Sequence, residues 1–273
     1  MPLAFRVATN VADNALVPFR FRERQLNTRP HRRGDLEGAL FIAEGDLVVM
    51  RALASGYHAT TLLCGEAQCN ELQQFATQLE STDLVVADEA IRREATGLAV
   101  ALNMIGLFVK PANATLTEVI AHHKRVVMLS QVDNPTNVGA IMRSAMAFGF
   151  HGIVLDTETS DPFGRRALRV SMGTSFSASI ARSDNLGNAL HELHGAGFTS
   201  CALTPSNDAV SLDEVASIEK LVLILGSERD GLDSALLENA SMQVRIPMSS
   251  GIDSLNVAAA AAVAGYGLTN LKG

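Results

Sequence analysis

Arg143 is the only charged residue between Asp133 and Asp156, and it lies in an apolar, small-residue run from Asn137 to Gly149. At helical spacing Ile141, Ala145 and Phe148 form one line, Met142 and Met146 a second, and Gly139, Arg143 and Ala147 a third. A guanidinium on so apolar a helix needs an acceptor, because a buried unpaired charge is very costly. Two acceptors fit: a carboxylate of this chain in a structural ion pair, or a phosphate or ribose oxygen of a substrate. Asn137 opens the same helix and is either its cap, a role Thr136 could also take, or a ligand-facing amide. Two further stretches have the same character. In Gly226 to Leu232, GSERDGL, the glycines permit a tight turn and close approach of backbone to a ligand. A phosphate loop is the competing reading, but the Lys-Ser/Thr ending of a P-loop is missing. Glu228 within it is either a surface acid opening a helix or a ligand-facing carboxylate. In Ile246 to Asn256, IPMSSGIDSLN, a small-residue polar loop precedes the alanine- and valine-rich segment Val257 to Leu268. Such a helix is expected to be buried on nearly every side, so Asp253, Ser254 and Asn256 at its mouth face either backbone donors, with Asp253 or Ser254 as N-cap, or a ligand.

These three stretches each join an apolar strand to a polar turn and then to a helix, the place where α/β sheets gather ligand-binding groups. The expected strands of the second half are Val126 to Ser130, Gly152 to Asp156, Ser177 to Ala181, Ser200 to Leu203, Leu221 to Leu225 and Gln243 to Pro247, with helices between. That alternation implies a mostly parallel sheet covered on both faces. The first half reads as a smaller α/β layer: helix Asp46 to Ala54, strand Ala59 to Cys64, helix Glu66 to Leu79, strand Leu84 to Ala87, a short helix, and a strand near Leu107 to Val109. Leu3 to Asp35 is polar and arginine-rich and reads as an arm or loosely packed lead-in. Pro111 to Thr115 breaks the pattern, so residues 1–111 and 112–273 are the expected domains.

The three polar stretches, in order and spacing, resemble the three motifs of the SpoU (TrmH-like) RNA ribose methyltransferases of the SPOUT class: Asn-x-Gly-Ala-Ile-x-Arg with a following Gly, Gly-Ser-Glu-x-x-Gly-Leu, and Ile-Pro-Met with Ser-Leu-Asn-Val. The FIAEGDLVVMRAL stretch resembles the L30e-like substrate-binding domain that many such enzymes carry in front. The resemblance implies a trefoil knot in the catalytic domain, a topology that periodicity does not reveal, since short unknotted connections are the rule. It places Arg143 and Asn137 on the family's catalytic arginine and motif-one asparagine, and Glu228, Ser254 and Asn256 on further site positions. It implies S-adenosylmethionine as cofactor, wrapped by Leu225, Gly226, Ile246, Met248 and Leu255 with Thr204 nearby. Arg165, Arg166 and Arg169, and by charge Arg20, Arg22 and Arg24, are expected to meet RNA phosphates. The implied reaction is 2'-O-methylation of a ribose in structured RNA, ribosomal RNA before transfer RNA, by a homodimer. Ser250 departs from the family, which more often has glycine there. A non-catalytic RNA-binding assembly factor that keeps this fold is one alternative; without the resemblance, a nucleotide-binding α/β protein that uses Gly226 to Gly231 for phosphate is another.

Composition agrees with a globular chain. Of 273 residues 47% are hydrophobic, which supports a well-filled core and argues against disorder. The N-terminus lacks an apolar signal segment, and Val257 to Leu268 is shorter than the about 20 residues that span a bilayer. A cytoplasmic protein without membrane partners is expected. Cys64, Cys69 and Cys201 are an odd count with no zinc-ligand spacing, so no disulfide framework and no metal are expected. The net charge of -7 is unusual for an RNA partner, so phosphate contact must rest on local clusters. One is Arg20, Arg22, Arg24, Arg29, Arg32 and Arg33; the other is Arg165, Arg166 and Arg169.

Overall fold

Short apolar strands alternate with short helices in the first 112 residues, and they close into one mixed sheet. The computed structural model describes residues 3–26, 39–215, 217–249 and 254–270. Arg29, Arg32, Arg33, Ser250, Gly251 and Asp253 lie outside the described residues, as does the side chain of Arg24. The strands are β1 (Arg6–Val7), β2 (Leu40–Glu44), β3 (Ala59–Cys64), β4 (Asp83–Val86) and β5 (Met104–Val109), ordered β1-β4-β3-β5-β2. β1, β4 and β3 run parallel, while β5 is antiparallel to both β3 and β2. The helices are α1 (Glu23–Leu26), α2 (Asp46–Ala54), α3 (Cys69–Leu72) and α4 (Glu89–Thr96). The expected helix Glu66 to Leu79 is broken into short turns around α3. One reason is local: Gln74 Nε2 takes the Glu71 carbonyl at 2.9 Å, an acceptor that a continuous helix would use.

The second unit carries an all-parallel sheet of seven strands. They are β6 (Arg125–Leu129), β7 (Gly152–Leu155), β8 (Ser179–Arg182), β9 (Thr199–Leu203), β10 (Val210–Ser211), β11 (Leu221–Leu225) and β12 (Met242–Arg245), ordered β10-β12-β9-β11-β6-β7-β8. Central β11 is buried along its whole length, as expected of a strand covered on both faces. The connecting helices are α5 (Leu116–His122), α6 (Pro135–Ala147), α7 (Arg165–Ser171), α8 (Leu186–Gly195), α9 (Ser234–Asn239) and α10 (Val257–Asn270). α5 opens on a capping box: Thr115 Oγ1 accepts from Glu118 N at 3.2 Å, and Glu118 Oε2 accepts from Thr115 N at 2.7 Å. Contrary to expectation, α10 is not buried all round, because Ala259, Val263 and Tyr266 are exposed.

Two features depart from a chain of two uninterrupted halves. The first unit contains the described residues up to Ala112 together with Phe163–Phe176, the stretch that carries α7. This strap is held at both ends by aromatic rings: Phe163 and Phe176 lie 5.2 and 5.6 Å from the Phe41 ring centroid, beside Tyr57 and Phe108. The C-cap of α7, Met172, has φ 55°, and Arg51 Nη1 donates to its carbonyl at 2.7 Å. The N-terminal stretch is likewise not a loose arm. It forms β1 and a 3-10 helix over Asn14–Arg20 that buries Leu16 and Phe19 completely. Arg6 ties it down, pairing with Asp83 at 2.9 Å and Asp13 at 2.5 Å. The Arg6 guanidinium holds the Asp13 carboxyl below the usual range.

Candidate active site

Asn134 accepts from Thr136 N at 2.9 Å and caps α6, with Pro135 in the first turn where a missing N–H costs nothing. Neither Asn137 nor Thr136 is therefore needed as cap. Asn137 lies inside the first turns of α6, only 5% exposed, and its Oδ1 accepts from Asn256 Nδ2 at 3.1 Å. The same Nδ2 donates to Glu228 Oε1. The other end of the Asn256 amide accepts from Ala258 N at 3.0 Å and Ala259 N at 3.3 Å, which makes Asn256 the cap of α10 instead of Asp253 or Ser254. Residues from all three sequence stretches thus converge on one carboxamide.

Glu228 is carried by a closed loop at the end of β11. Ser227 and Gly231 exchange both backbone hydrogen bonds at 3.1 Å, and Asp230 N donates to Ser227 Oγ at 3.0 Å. Gly226 cannot be replaced in this loop, because a Cβ there would stand 2.3 Å from the Gly231 carbonyl. Gly231 itself has φ +69°, the left-handed region.

This loop forms one wall of a cavity of about 530 Å³, within the usual range for small-ligand clefts, roughly 300–1,000 Å³. It opens past the ends of β9, β11 and β12, and its lining includes Thr204, Leu225, Gly226, Ile246, Met248 and Leu255, together with Glu228 and Ser254. All six residues expected to wrap the cofactor therefore share one cavity. Apolar walls suit the faces of a purine, and the glycine-cleared backbone suits its edge. Ser254 lines the cavity, and no hydrogen bond joins it to Arg143 among the described residues.

The far side of the Ser227 to Asp230 loop faces a second cleft of about 590 Å³, also lined by Gln131, Asn134 and Glu158. Gln131 and Asn134 open the first polar stretch, Gln131 to Gly149, whereas the sequence did not single out Glu158. Gln131 has φ 56°, and its N–H donates to Asp156 Oδ2 at 2.7 Å. Asp156 also accepts from Thr159 N at 2.7 Å, joining the loops after β6 and β7. The signal for the loop after β7 was only that it follows an apolar strand.

Arg143 is exposed, with no polar partner among the described residues, so of its two expected acceptors the ion pair within this chain is not formed there. It stands six residues beyond Asn137, about 9 Å along the helix axis. Of the arginines expected to meet RNA, Arg20, Arg22, Arg166 and Arg169 are exposed. Arg20 lies 3.9 Å from Glu94. Arg165 is turned inward: Nε donates to Glu44 Oε1 at 2.8 Å, and Nη1 to the carbonyls of Phe19 and Phe21 at 3.2 and 3.4 Å. Arg169 Nη1 donates to Glu44 Oε2 at 2.5 Å. Among the described residues no cluster of three His, Cys, Asp or Glu side chains could hold a metal, and no helix is long and apolar enough to cross a membrane. Cys64 and Cys201 are buried thiols, each pushed up to about 12 by burial.

Comparison with known proteins places this geometry. Residues 124–266 match the SpoU rRNA Methylase family. A tRNA/rRNA methyltransferase of Mycobacterium tuberculosis is 35% identical over 240 residues, covering 86% of this chain and 83% of the relative. The 23S rRNA (guanosine(2553)-2'-O)-methyltransferase RlmP of Bacillus subtilis is 34% identical over 55% of this chain and 60% of its own. Among solved structures, the AdoMet-bound rRNA methyltransferase from Sinorhizobium meliloti superposes with a TM-score of 0.79 at 26% identity, over 97% of both chains. The chain belongs to the SpoU family and is an RNA methyltransferase that uses S-adenosylmethionine.

Proposed function

We propose that the protein methylates the 2'-hydroxyl of a ribose in structured RNA, with ribosomal RNA the favoured substrate and transfer RNA the alternative. The observation that carries this reading is the Asn256 amide, which links Asn137 to Glu228 at the wall dividing the two cavities. One cavity suits the methyl donor and the other the target nucleotide. S-adenosylmethionine supplies an electrophilic methyl group, and the transfer then requires close placement of two reactants more than covalent help from the protein. Thr204, Leu225, Gly226, Ile246, Met248 and Leu255 hold the donor. Asn137, Glu228 and Asn256 fix the dividing wall, and Ser254 lies at its mouth. Arg143 orients the nucleotide, and its positive charge stabilises the developing alkoxide. The activities of the Bacillus and Sinorhizobium relatives, a 23S rRNA 2'-O-methyltransferase and an rRNA methyltransferase, support the ribose and the ribosomal substrate.

The finer architecture follows the same reading. A trefoil knot is supported by β12 lying outside β9 while α10 returns to pack on α6 and β11; an experimental trace through residues 245–257 tests it. The mixed sheet of the first unit supports an L30e-like substrate domain. A homodimer is supported by the exposed Val263 and Tyr266 on α10 and by the exposed Arg143 and Ala147 on α6, the helix against which α10 packs. The free cysteines are compatible with the cytoplasm, which fractionation checks.

Purified protein and its Arg143→Ala variant, incubated with labelled S-adenosylmethionine and total RNA, test the reaction by mapping of 2'-O-methylation. Label is expected at one ribose, with a loss of roughly 100-fold or more in the variant. If the cofactor binds but neither RNA nor ribosomal intermediates are labelled, a non-catalytic assembly factor is the better reading. If the cofactor does not bind, the site assignment fails.

A further inference from the structure

The carboxylate of Glu44, at the end of β2, is 1% exposed and receives two guanidiniums from one face of α7, those of Arg165 and Arg169. Burying a carboxylate is tolerated only with close, well-directed partners. Arg165 supplies them with its fork, and its remaining edge reaches the carbonyls of Phe19 and Phe21, the two residues that flank Arg20 and precede Arg22. Two arginine clusters that lie 144 to 146 residues apart are thereby joined inside the first unit. Arg169 is 42% exposed and gives Glu44 a single bond, while Arg166, three residues earlier on α7, is exposed. Residues three apart on a helix are neighbours, so Arg166 and Arg169 form a two-cation edge.

We propose that Glu44 is a positioning residue for RNA binding: through Arg165 and Arg169 it orders Arg166 and Arg169 on α7, together with the backbone that carries Arg22, as one phosphate-binding face. Arg165 belongs to the scaffold of that face and touches no phosphate. The net sign of the chain then matters little, because one carboxylate placed behind the arginines organises them instead of competing with RNA. This rests on the RNA methyltransferase reading above, and its test is separable from that reading.

The measurement is binding of purified ribosomal RNA, with a transfer RNA pool as second probe, across a salt series. It compares wild type, Glu44→Gln, Arg169→Ala and the double variant, with S-adenosylmethionine affinity as control. Glu44→Gln is expected to weaken RNA binding about tenfold and lower the salt slope by about one. The effect falls on KM for RNA while kcat and cofactor affinity hold. Arg169→Ala should do the same, and the double variant should be little worse than either. Should Glu44→Gln fail to fold, Arg165→Lys replaces it, since lysine keeps the charge and loses the fork. Wild-type RNA affinity and slope in the folded variant, or strictly additive losses, would overturn the proposal. Absence of methyl transfer by the wild type would instead count against the ribose reaction and leave this binding comparison readable.

Discussion

Asn256 serves two purposes with one side chain, and they can be separated. Its Oδ1 caps α10, while its Nδ2 bridges Asn137 and Glu228. Asn256→Ala removes both and is expected to cost about 1 kcal/mol of stability, the usual worth of a cap, along with methyl transfer. Asn256→Asp keeps the cap acceptors but sets a carboxylate against Glu228. It should therefore melt closer to wild type than the alanine variant while losing transfer as fully. Single-turnover assays beside thermal melts check this, and an active Asp variant would show that the bridge is dispensable. At this scale the sequence was legible where residue type alone limits the choice. Asn137, Glu228 and Asn256 meet, and Gly226 fills a place with no room for a Cβ. Caps were less legible, since Asn134, Asn137 and Thr136 are chemically similar candidates and only backbone geometry chooses among them. For Arg143 the sequence left two acceptors open, because an apolar helix gives no sign of which of its residues face solvent.

Among elements, those with a clear hydrophobic period could be read directly: α2 and β3 have the expected bounds, Asp46–Ala54 and Ala59–Cys64. β1 and the 3-10 helix Asn14–Arg20 are too short to show a period, although they bury Leu16 and Phe19. The strap was invisible for a different reason, as its hydrogen-bonding partners lie 119 to 146 residues away in the chain. Its removal gives the test of its worth. A fragment of residues 1–112 leaves Glu44 buried without its arginines, a loss of roughly 3–5 kcal/mol, against the 5–15 kcal/mol that typically holds a domain together. The fragment is expected to bind hydrophobic dye and melt without cooperativity, and joining Phe163–Phe176 to it by a flexible linker should restore a transition. A cooperative melt of the bare fragment would assign the strap a minor role.

For the whole molecule, the exposed face of α10 is the main departure from a self-contained chain. Val263 and Tyr266 are 43% and 53% exposed on a helix that is otherwise alanine, valine and glycine for most of its length. In a homodimer they would be covered, so Val263→Glu is expected to shift sedimentation from dimer to monomer and to reduce methyl transfer with it. A wild type that sediments as a monomer would remove the dimer from the proposal. A knot and a pairing of two chains are suggested by the family resemblance alone, because neither would leave a mark in local periodicity. The strap has one more effect, on the order of events during synthesis. Arg165 and Arg169 leave the ribosome 121 and 125 residues after Glu44, a delay of roughly 6–25 s at about 5–20 residues per second. Through that interval the first sheet is made but lacks its last aromatic and charged partners, so the nascent chain must wait, exposed to chaperones, for a piece of the catalytic half before its N-terminal unit can close.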